Sequence, residues 1–132
     1  MRSYDIIIPH YNGPRQNALA ARCLSSIRRF SRRYRIVWIQ NGGEIPRPIA
    51  AELARCEEVE AIMNPDNLGF VQATNQGLQA MKASRIVLLN NDTSVPADWL
   101  PKLAKPLENQ QVGMTGPLSS AKGSWQGRLR SS

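Results

Sequence analysis

The sequence has few of the residues from which common catalytic and metal sites are built. It holds one histidine and two cysteines in 132 residues, and Cys23 and Cys56 lie far apart without a CxxC spacing. A zinc site or disulfide framework is therefore not indicated, and both cysteines are expected to be buried thiols in reducing surroundings. With one histidine and no serine or cysteine nucleophile motif, a hydrolytic triad is not expected either.

Phosphate-loop and membrane-spanning sequences are also absent. The chain contains no GxxxxGK[ST] motif, and no GxGxxG follows its first apolar run. No apolar run approaches the roughly 20 residues that cross a bilayer. The first residues carry Asp5 and lack the small-residue cleavage site of a signal peptide. Residence in the cytoplasm is therefore predicted.

Arginine dominates the net charge of +7. Six arginines fall in one stretch: Arg22, Arg28, Arg29, Arg32, Arg33 and Arg35. Arg22 and Arg29 are seven residues apart and Arg28 and Arg32 are four apart, which predicts one broad helix face. Two interpretations stay open: a solvated face, which we favour, or attraction to a phosphorylated substrate or to anionic lipid at the inner face of the membrane. Nucleic-acid binding fits poorly, because aromatic residues make up only 6% of the chain and are mostly not interleaved with the arginines.

Short β-branched runs alternate with helical patterns along the chain. The predicted strands are 5–9, 35–40, 59–63, 85–89 and 112–115, with 85–89 the most buried. The predicted helices are 17–32, 49–55, 69–82 and 98–107. We expect the first long helix to bury Ala20, Cys23, Leu24 and Ile27, and the second, capped by Asn67, to bury Phe70, Ala73, Leu78 and Met81.

This alternation predicts an α/β fold with a mostly parallel sheet and helices on both faces. With the strand order 3-2-1-4, the order reverses between the first and fourth strands, and such sheets bind ligands at that point. The loops that follow those two strands, 9–13 and 90–93, are dense in polar groups. We therefore predict a polar small-molecule site in a domain spanning 1–118, followed by a flexible or partly ordered tail, 119–132.

The fourth strand ends in two asparagines and an aspartate. Asn90, Asn91 and Asp92 offer amide and carboxylate oxygens, which suit Mg²⁺ or Mn²⁺. A cation there bridges the phosphates of a nucleotide and offsets the charge on a leaving diphosphate. Taken alone, the motif fits equally well a strand end that begins a turn.

Five motifs together resemble a known family. They are IIPHYNG (7–13), IQNGG (39–43), NLGF (67–70) with Ala73, Asn75 and Gly77, LNNDT (89–93) and VGMTGP (112–117). Over most of the chain, from about Tyr4 to Leu118, this is similar to the family-2 inverting glycosyltransferases, especially their rhamnosyltransferase-like branch. The resemblance implies the GT-A fold, a Rossmann-like fold of nucleotide-diphospho-sugar transferases. It also implies a metal-dependent enzyme of cell-envelope polysaccharide synthesis, with Mg²⁺ or Mn²⁺, a UDP- or dTDP-linked donor, and a carbohydrate or lipid-linked acceptor.

The resemblance also implies roles for individual positions. Pro9, His10, Tyr11 and Asn12 are expected against the nucleoside, with Tyr11 on the base and ribose and His10 filling the turn rather than acting as acid or base. Gln40 stands where relatives usually carry an aspartate that hydrogen-bonds the pyrimidine, and Asn41 follows it. Asn67 and Asn75 belong to the helix that closes the donor pocket. Asn90 and Asn91 match the diphosphate motif, and Asp92 is the metal ligand.

The sequence departs from the family pattern after Leu118. Relatives continue with an acceptor half that supplies the general base, but residues 119–132 do not resemble it and contain no carboxylate side chain. We therefore expect an N-terminal donor-binding half that is inactive alone, whose open face a second copy could cover. Two alternatives stay open: a non-catalytic nucleotide-binding or partner-interaction module of the same fold, and a sugar-phosphate nucleotidyltransferase. The latter is disfavoured because the 9–13 loop lacks that class's Gly-rich, basic composition.

Overall fold

Four parallel strands alternate with three helices in the structure, a computed structural model that describes residues 2–117. The elements up to Asp98 are, in chain order, β1 (Tyr4–His10), α1 (Pro14–Phe30), β2 (Tyr34–Asn41), α2 (Arg47–Leu53), β3 (Val59–Asn64), α3 (Phe70–Gln79) and β4 (Arg85–Leu88). A second compact unit begins at Trp99 and contains α4 (Trp99–Ala104) and a 3-10 helix (Lys105–Glu108). The predicted tail, 119–132, lies outside the described residues.

The strand order is β3-β2-β1-β4, and every neighbouring pair is parallel. Parallel strands need a crossover connection, which the helices supply here. The carboxyl ends of the strands therefore lie at one edge of the sheet, and β1 and β4 are direct neighbours. The prediction of a mostly parallel α/β sheet in this order is confirmed.

One face of the sheet is buried with α1. Alternate residues of β1 and β2 point to this face and are fully buried: Ile6, Ile8, Ile36 and Trp38. On α1 the four residues predicted to face inward are the buried ones: Ala20, Cys23, Leu24 and Ile27. Their spacing of three and four residues forms one continuous stripe along a helix, which explains the agreement.

The other face of the sheet packs against α3. Ile7, Val37, Ile39 and Ala73 form a buried apolar cluster between the sheet and this helix. Gly77 allows the close approach, because a Cβ at this position would lie 2.4 Å from Cγ2 of Ile7. Ile7 is a buried, β-branched residue in the central part of the sheet, so it has little freedom to move away.

We expect Gly77→Ala to lower the free energy of unfolding by about 1–2 kcal/mol in urea denaturation. Alanine favours a helix over glycine by about 1 kcal/mol, but overpacking a core costs about 1–3 kcal/mol. In an Ile7→Ala background the obstructing methyl group is gone, and there the same change should be neutral or stabilising. A Gly77→Ala protein as stable as wild type would show that the helix moves away from the sheet without cost.

Three sequence predictions about buried apolar residues and one predicted strand were wrong. β4 ends at Leu88, whose side chain was expected to be buried but is 56% exposed. Among the described strands β4 pairs only with β1, and a strand at the edge of a sheet has fewer neighbours to cover its side chains. Phe70 is 60% exposed at the first position of α3, and Met81 is 51% exposed beyond the end of that helix. Residues 112–117 contain no strand, which is consistent with the low strand propensity of a segment with two glycines and a proline.

The arginine stretch divides into exposed and buried members. Arg22, Arg29 and Arg33 are exposed, as predicted. Arg35 belongs to β2, is only 2% exposed and makes an ion pair with Asp5, so the solvated face does not extend to the last arginine of the stretch. Cys23 is buried and Cys56 is partly exposed, and both are free thiols. None of the helices within residues 2–117 combines the length and apolar character needed to span a bilayer.

Replacing the exposed arginines is expected to leave stability nearly unchanged. Arg22→Gln should shift the free energy of unfolding by no more than about 0.5 kcal/mol, because surface changes away from special contacts are usually that small. Arg29→Gln should cost no more than about 1 kcal/mol, because the Arg29 guanidinium lies 5.1 Å from the Phe30 ring centroid and an exposed cation–π contact contributes about 0.5–1 kcal/mol. Chemical denaturation of the two variants beside wild type measures this. A loss of more than about 2 kcal/mol would show that the side chain takes part in a structural contact.

Candidate functional site

A cleft of about 240 Å³ lies at the carboxyl edge of the sheet, where the loops after β1 and β4 meet. Eight of the eleven residues predicted for the site line it: Pro9, His10, Tyr11, Asn41, Asn67, Asn90, Asn91 and Asp92. Gly69 and Phe70 complete the lining. Asn12, Gln40 and Asn75 are not among the lining residues.

Two aromatic rings contribute to the cleft. Tyr11 is 50% exposed and follows β1, and Phe70 is 60% exposed at the start of α3. The sequence analysis placed Phe70 in the core because its helical spacing matched the inward face. Its position next to Gly69, at the helix end nearest the carboxyl edge of the sheet, was the signal for a site residue. Exposed aromatic faces of this kind can pack against a planar ring.

The loop after β4 contributes three polar residues to the cleft: Asn90, Asn91 and Asp92. Asp92 is the only acidic residue among the ten lining residues, and none of the ten is a lysine or arginine. Within residues 2–117, no three His, Cys, Asp or Glu side chains come together as a metal cage. The oxygen donors present fit a hard cation such as Mg²⁺, which usually completes its shell with water and substrate phosphate oxygens.

Backbone and thiol contacts hold the loop that carries these polar residues. The N–H of Leu89 donates to the carbonyl of Ile7 at 3.0 Å, which extends the β1–β4 pairing by one residue. The N–H of Thr93 closes a turn on the carbonyl of Asn90 at 3.3 Å. The same carbonyl accepts a weak bond from Sγ of Cys23 on α1 at 3.9 Å. Burial raises the pKa of the Cys23 thiol to about 12, so this thiol stays protonated and remains a donor.

His10 borders the cleft but is almost fully buried, with 1% of its surface exposed. Its Nε2 is 2.9 Å from Oδ1 of Asn17, and its Nδ1 is 2.9 Å from Nδ2 of Asn91. Its ring centroid is 5.0 Å from that of Trp38. Burial lowers the pKa of His10, so the ring is neutral at physiological pH.

Gln40 and Asn12 support the cleft from outside it. The side chain of Gln40 is fully buried: its oxygen accepts from the Trp38 indole N–H at 3.0 Å, and its amide nitrogen donates to Oδ1 of Asn12 at 3.0 Å. Asn12 in turn donates to the carbonyl of Glu44 at 2.9 Å. Both amides are thus engaged within the protein, so contact between Gln40 and a base would require these bonds to be exchanged.

Asn41 and Asn67 hold the segment between β3 and α3. Nδ2 of Asn41 donates to Oδ1 of Asn67 at 2.7 Å, and Oδ1 of Asn41 accepts from the backbone N–H of Leu68 at 2.8 Å. Oδ1 of Asn67 also accepts from the N–H of Gly69 at 2.9 Å. Gly69 has φ +85°, a conformation that L side chains rarely adopt, and it turns the chain into α3. Asn75 is exposed on α3, away from the cleft lining.

Comparison with solved structures supports this architecture. The chain is similar to two crystal structures of TarS from S. aureus, with TM-scores of 0.68 and 0.70 and 14% sequence identity in each case. The matches cover 84% and 94% of this chain but 20% and 40% of those chains, so it spans less than half of either. No curated protein matches the sequence. A family profile matches residues 5–130, and the chain therefore belongs to glycosyl transferase family 2.

Proposed function

We propose that the cleft is the donor site of a glycosyltransferase and binds a nucleotide diphospho-sugar together with Mg²⁺ or Mn²⁺. The observation that carries this proposal is the mixed lining of the cleft. Apolar and aromatic surface comes from Pro9, Tyr11 and Phe70, and oxygen and amide groups come from Asn90, Asn91 and Asp92. A nucleotide combines the same two characters, a planar base and a charged diphosphate.

The nucleoside is proposed to pack against Tyr11 and Phe70. Stacking on exposed aromatic faces is sequence-tolerant, because every base has a π-face. Gln40 is proposed to act indirectly, by fixing Asn12 and the 42–44 loop beneath the base, because its amide is already engaged. This arrangement distinguishes UDP from dTDP poorly, and both are candidates for the donor nucleotide.

The diphosphate is proposed to bind at Asp92 through a divalent cation. A diphosphate carries several negative charges, and none of the ten lining residues is a lysine or arginine. A cation held by Asp92 would supply the missing positive charge and stabilise the diphosphate as it leaves. The first N–H groups of α3 also lie beside the cleft, and Gly69 at the N-cap brings no side chain to accept from them.

Inverting transfer needs a general base that deprotonates the acceptor hydroxyl as it attacks the anomeric carbon. Asp92 is the single acidic residue in the lining, and the metal role would occupy it. This observation favours the second candidate function, a nucleotide-binding module that does not catalyse transfer by itself. We propose donor binding without sugar transfer for the 132-residue polypeptide, and measurable turnover with any acceptor would contradict it.

Isothermal titration of the wild-type chain with UDP and with dTDP tests the proposal. We expect saturable binding in the presence of Mn²⁺ and binding at least about tenfold weaker in EDTA, a difference of about 1.4 kcal/mol. GMP, a monophosphate with a larger base, serves as the control ligand. Absence of binding by both diphosphates at millimolar concentration would reject the donor-site assignment.

Membrane-surface association and dimerisation of the chain both remain predictions. Arg22 and Arg29 are exposed on α1 and are available to contact anionic lipid headgroups.

A further inference from the structure

The imidazole of His10, the last residue of β1, connects this strand with three other parts of the chain. The ring contacts Asn17 on α1 and Asn91 in the loop after β4, and it lies against Trp38 of β2. The ring is 1% exposed, and both nitrogens have a partner at 2.9 Å. Both ring nitrogens are thus engaged within the protein, although His10 borders the cleft. The function of the ring in this network therefore lies in what its two hydrogen bonds fix.

The direction of one backbone hydrogen bond determines which ring nitrogen of His10 carries the proton. The N–H of Gly13 donates to Oδ1 of Asn17 at 3.3 Å, and a backbone N–H can only donate. The Asn17 atom that faces His10 is therefore the amide oxygen, so Nε2 of His10 must be the donor. In a neutral ring Nδ1 then carries the lone pair and accepts from Asn91. The network is consistent with only this tautomer.

We propose that His10 is a positioning residue whose Nε2–H tautomer fixes the amide orientation of Asn91, next to Asp92. With Nδ2 of Asn91 bound to His10, the amide oxygen lies on the opposite branch of the side chain and is available to a ligand of the cleft. This oxygen can accept from a hydroxyl group or contact a cation, and one N–H of the amide remains a donor. The inference rests on the proposed donor site and refines it: the oxygen of Asn91 recognises the cation or a sugar hydroxyl of the donor.

The alternative that His10 only fills space makes a different prediction for substitutions. A filler matters through its volume and should affect stability in proportion to the atoms removed. A positioning residue acts through the hydrogen-bond acceptor at its Nδ1 position. Removing this acceptor should weaken ligand binding even when the new side chain has nearly the same volume as histidine. Asparagine and glutamine separate the two cases, because they place an amide near the Nδ1 and the Nε2 position of histidine respectively.

The first experiment compares His10→Asn with His10→Gln in titrations with UDP and Mn²⁺. His10→Asn keeps an acceptor for Asn91 and should bind within about threefold of wild type. His10→Gln keeps the contact with Asn17 but loses that acceptor, and should bind about tenfold or more weakly, a typical effect of one lost hydrogen bond at a buried group. Equal affinities of the two variants, or the reverse order, would overturn the inference. Thermal unfolding checks that both fold.

The second experiment needs no nucleotide and therefore separates this inference from the proposed function. Because the chain has one histidine, the ¹⁵N signals of the ring in a tag-free protein belong to His10. We expect the Nε2–H tautomer at neutral pH, and slow exchange of one side-chain amide proton of Asn91 in wild type and His10→Asn but not in His10→Gln. A ring protonated on Nδ1, or equal amide exchange in all three proteins, would overturn the inference even if UDP binds.

Discussion

Asp5→Asn is expected to lower the free energy of unfolding by about 3–5 kcal/mol, the usual cost of breaking one side of a buried ion pair. Asp5 is fully buried, and the guanidinium of Arg35 donates to both its oxygens at 3.0 and 3.2 Å. The substitution leaves a buried arginine that has lost its buried counter-charge and keeps only the partly exposed carboxylates of Glu60, at 3.0 Å, and Glu58, at 3.8 Å. For a domain whose total stability is typically 5–15 kcal/mol, this loss is large. Urea denaturation followed by circular dichroism measures it.

Glu58→Gln is the matched control for this prediction. Glu58 also lies near Arg35, at 3.8 Å, but its side chain is 44% exposed. An exposed ion pair contributes about 0–1 kcal/mol, so this variant should remain within about 1 kcal/mol of wild type. Similar losses in the Asp5 and Glu58 variants would show that net charge around Arg35, rather than the buried pair, controls stability.

The same ion pair predicts how stability depends on pH. Burial alone would raise the pKa of Asp5, but hydrogen bonds from Arg35 and from the N–H groups of Lys82 and Ala83 outweigh it and lower this pKa. The unfolded value is about 3.9. Since the folded value is lower, the contribution of Asp5 is complete above about pH 4 and is lost as the pH falls through the folded pKa. The difference between wild type and Asp5→Asn should therefore narrow on acidification below pH 4.

Replacing both partners with apolar residues should not restore stability here. In other proteins, such a swap of a buried ion pair is often neutral. In this chain Asp5 also accepts from the backbone N–H groups of Lys82 and Ala83, and Arg35 donates to the carbonyl of Ala80. These groups follow α3, and an apolar pair would leave them without their present partners. Asp5 and Arg35 thus fix the turn between α3 and β4 as well as each other.

The burial of Arg35 could not be predicted from its neighbours in sequence. It follows five exposed or partly exposed arginines of the same stretch, and its partner Asp5 lies 30 positions away. The parallel register of β1 and β2 places the two residues side by side. The buried stripe of α1 could be predicted, because a helix repeats with a local period. Ion pairs between strands depend on register, which local patterns do not contain.

The position of the site could be predicted better than the direction of individual side chains. Strand order alone identified the 9–13 and 90–93 loops as neighbours, because ligand sites of parallel sheets lie where the order reverses. It did not show that the amides of Gln40 and Asn12 bind each other, or that Phe70 borders the cleft. The amide contacts depend on which of several possible hydrogen-bond partners each amide takes, and the position of Phe70 depends on where α3 begins. The packing of the folded chain determines both.

Asp92→Asn is expected to change nucleotide binding in opposite directions with and without metal. Asp92 lines the cleft and is exposed, so its replacement should leave the free energy of unfolding within about 0.5 kcal/mol of wild type. With Mn²⁺ present, loss of the carboxylate removes the charged oxygen ligand, and the affinity for UDP should fall about tenfold or more. In EDTA, the variant should bind UDP as well as wild type or better, because a diphosphate no longer faces a like charge.

This change of sign separates a metal site from a simple electrostatic effect of Asp92. Two unit charges about 4 Å apart interact by about 1 kcal/mol in water and more near a protein surface, so the repulsion in EDTA is large enough to measure. Asp66→Asn is the matched control, since Asp66 is an exposed aspartate that does not line the cleft, and both affinities should stay at the wild-type values. If EDTA and Asp92→Asn both leave UDP binding unchanged, the cation is not held at Asp92. If Asp92→Asn weakens binding equally in Mn²⁺ and in EDTA, Asp92 contacts the nucleotide directly through a hydrogen bond instead.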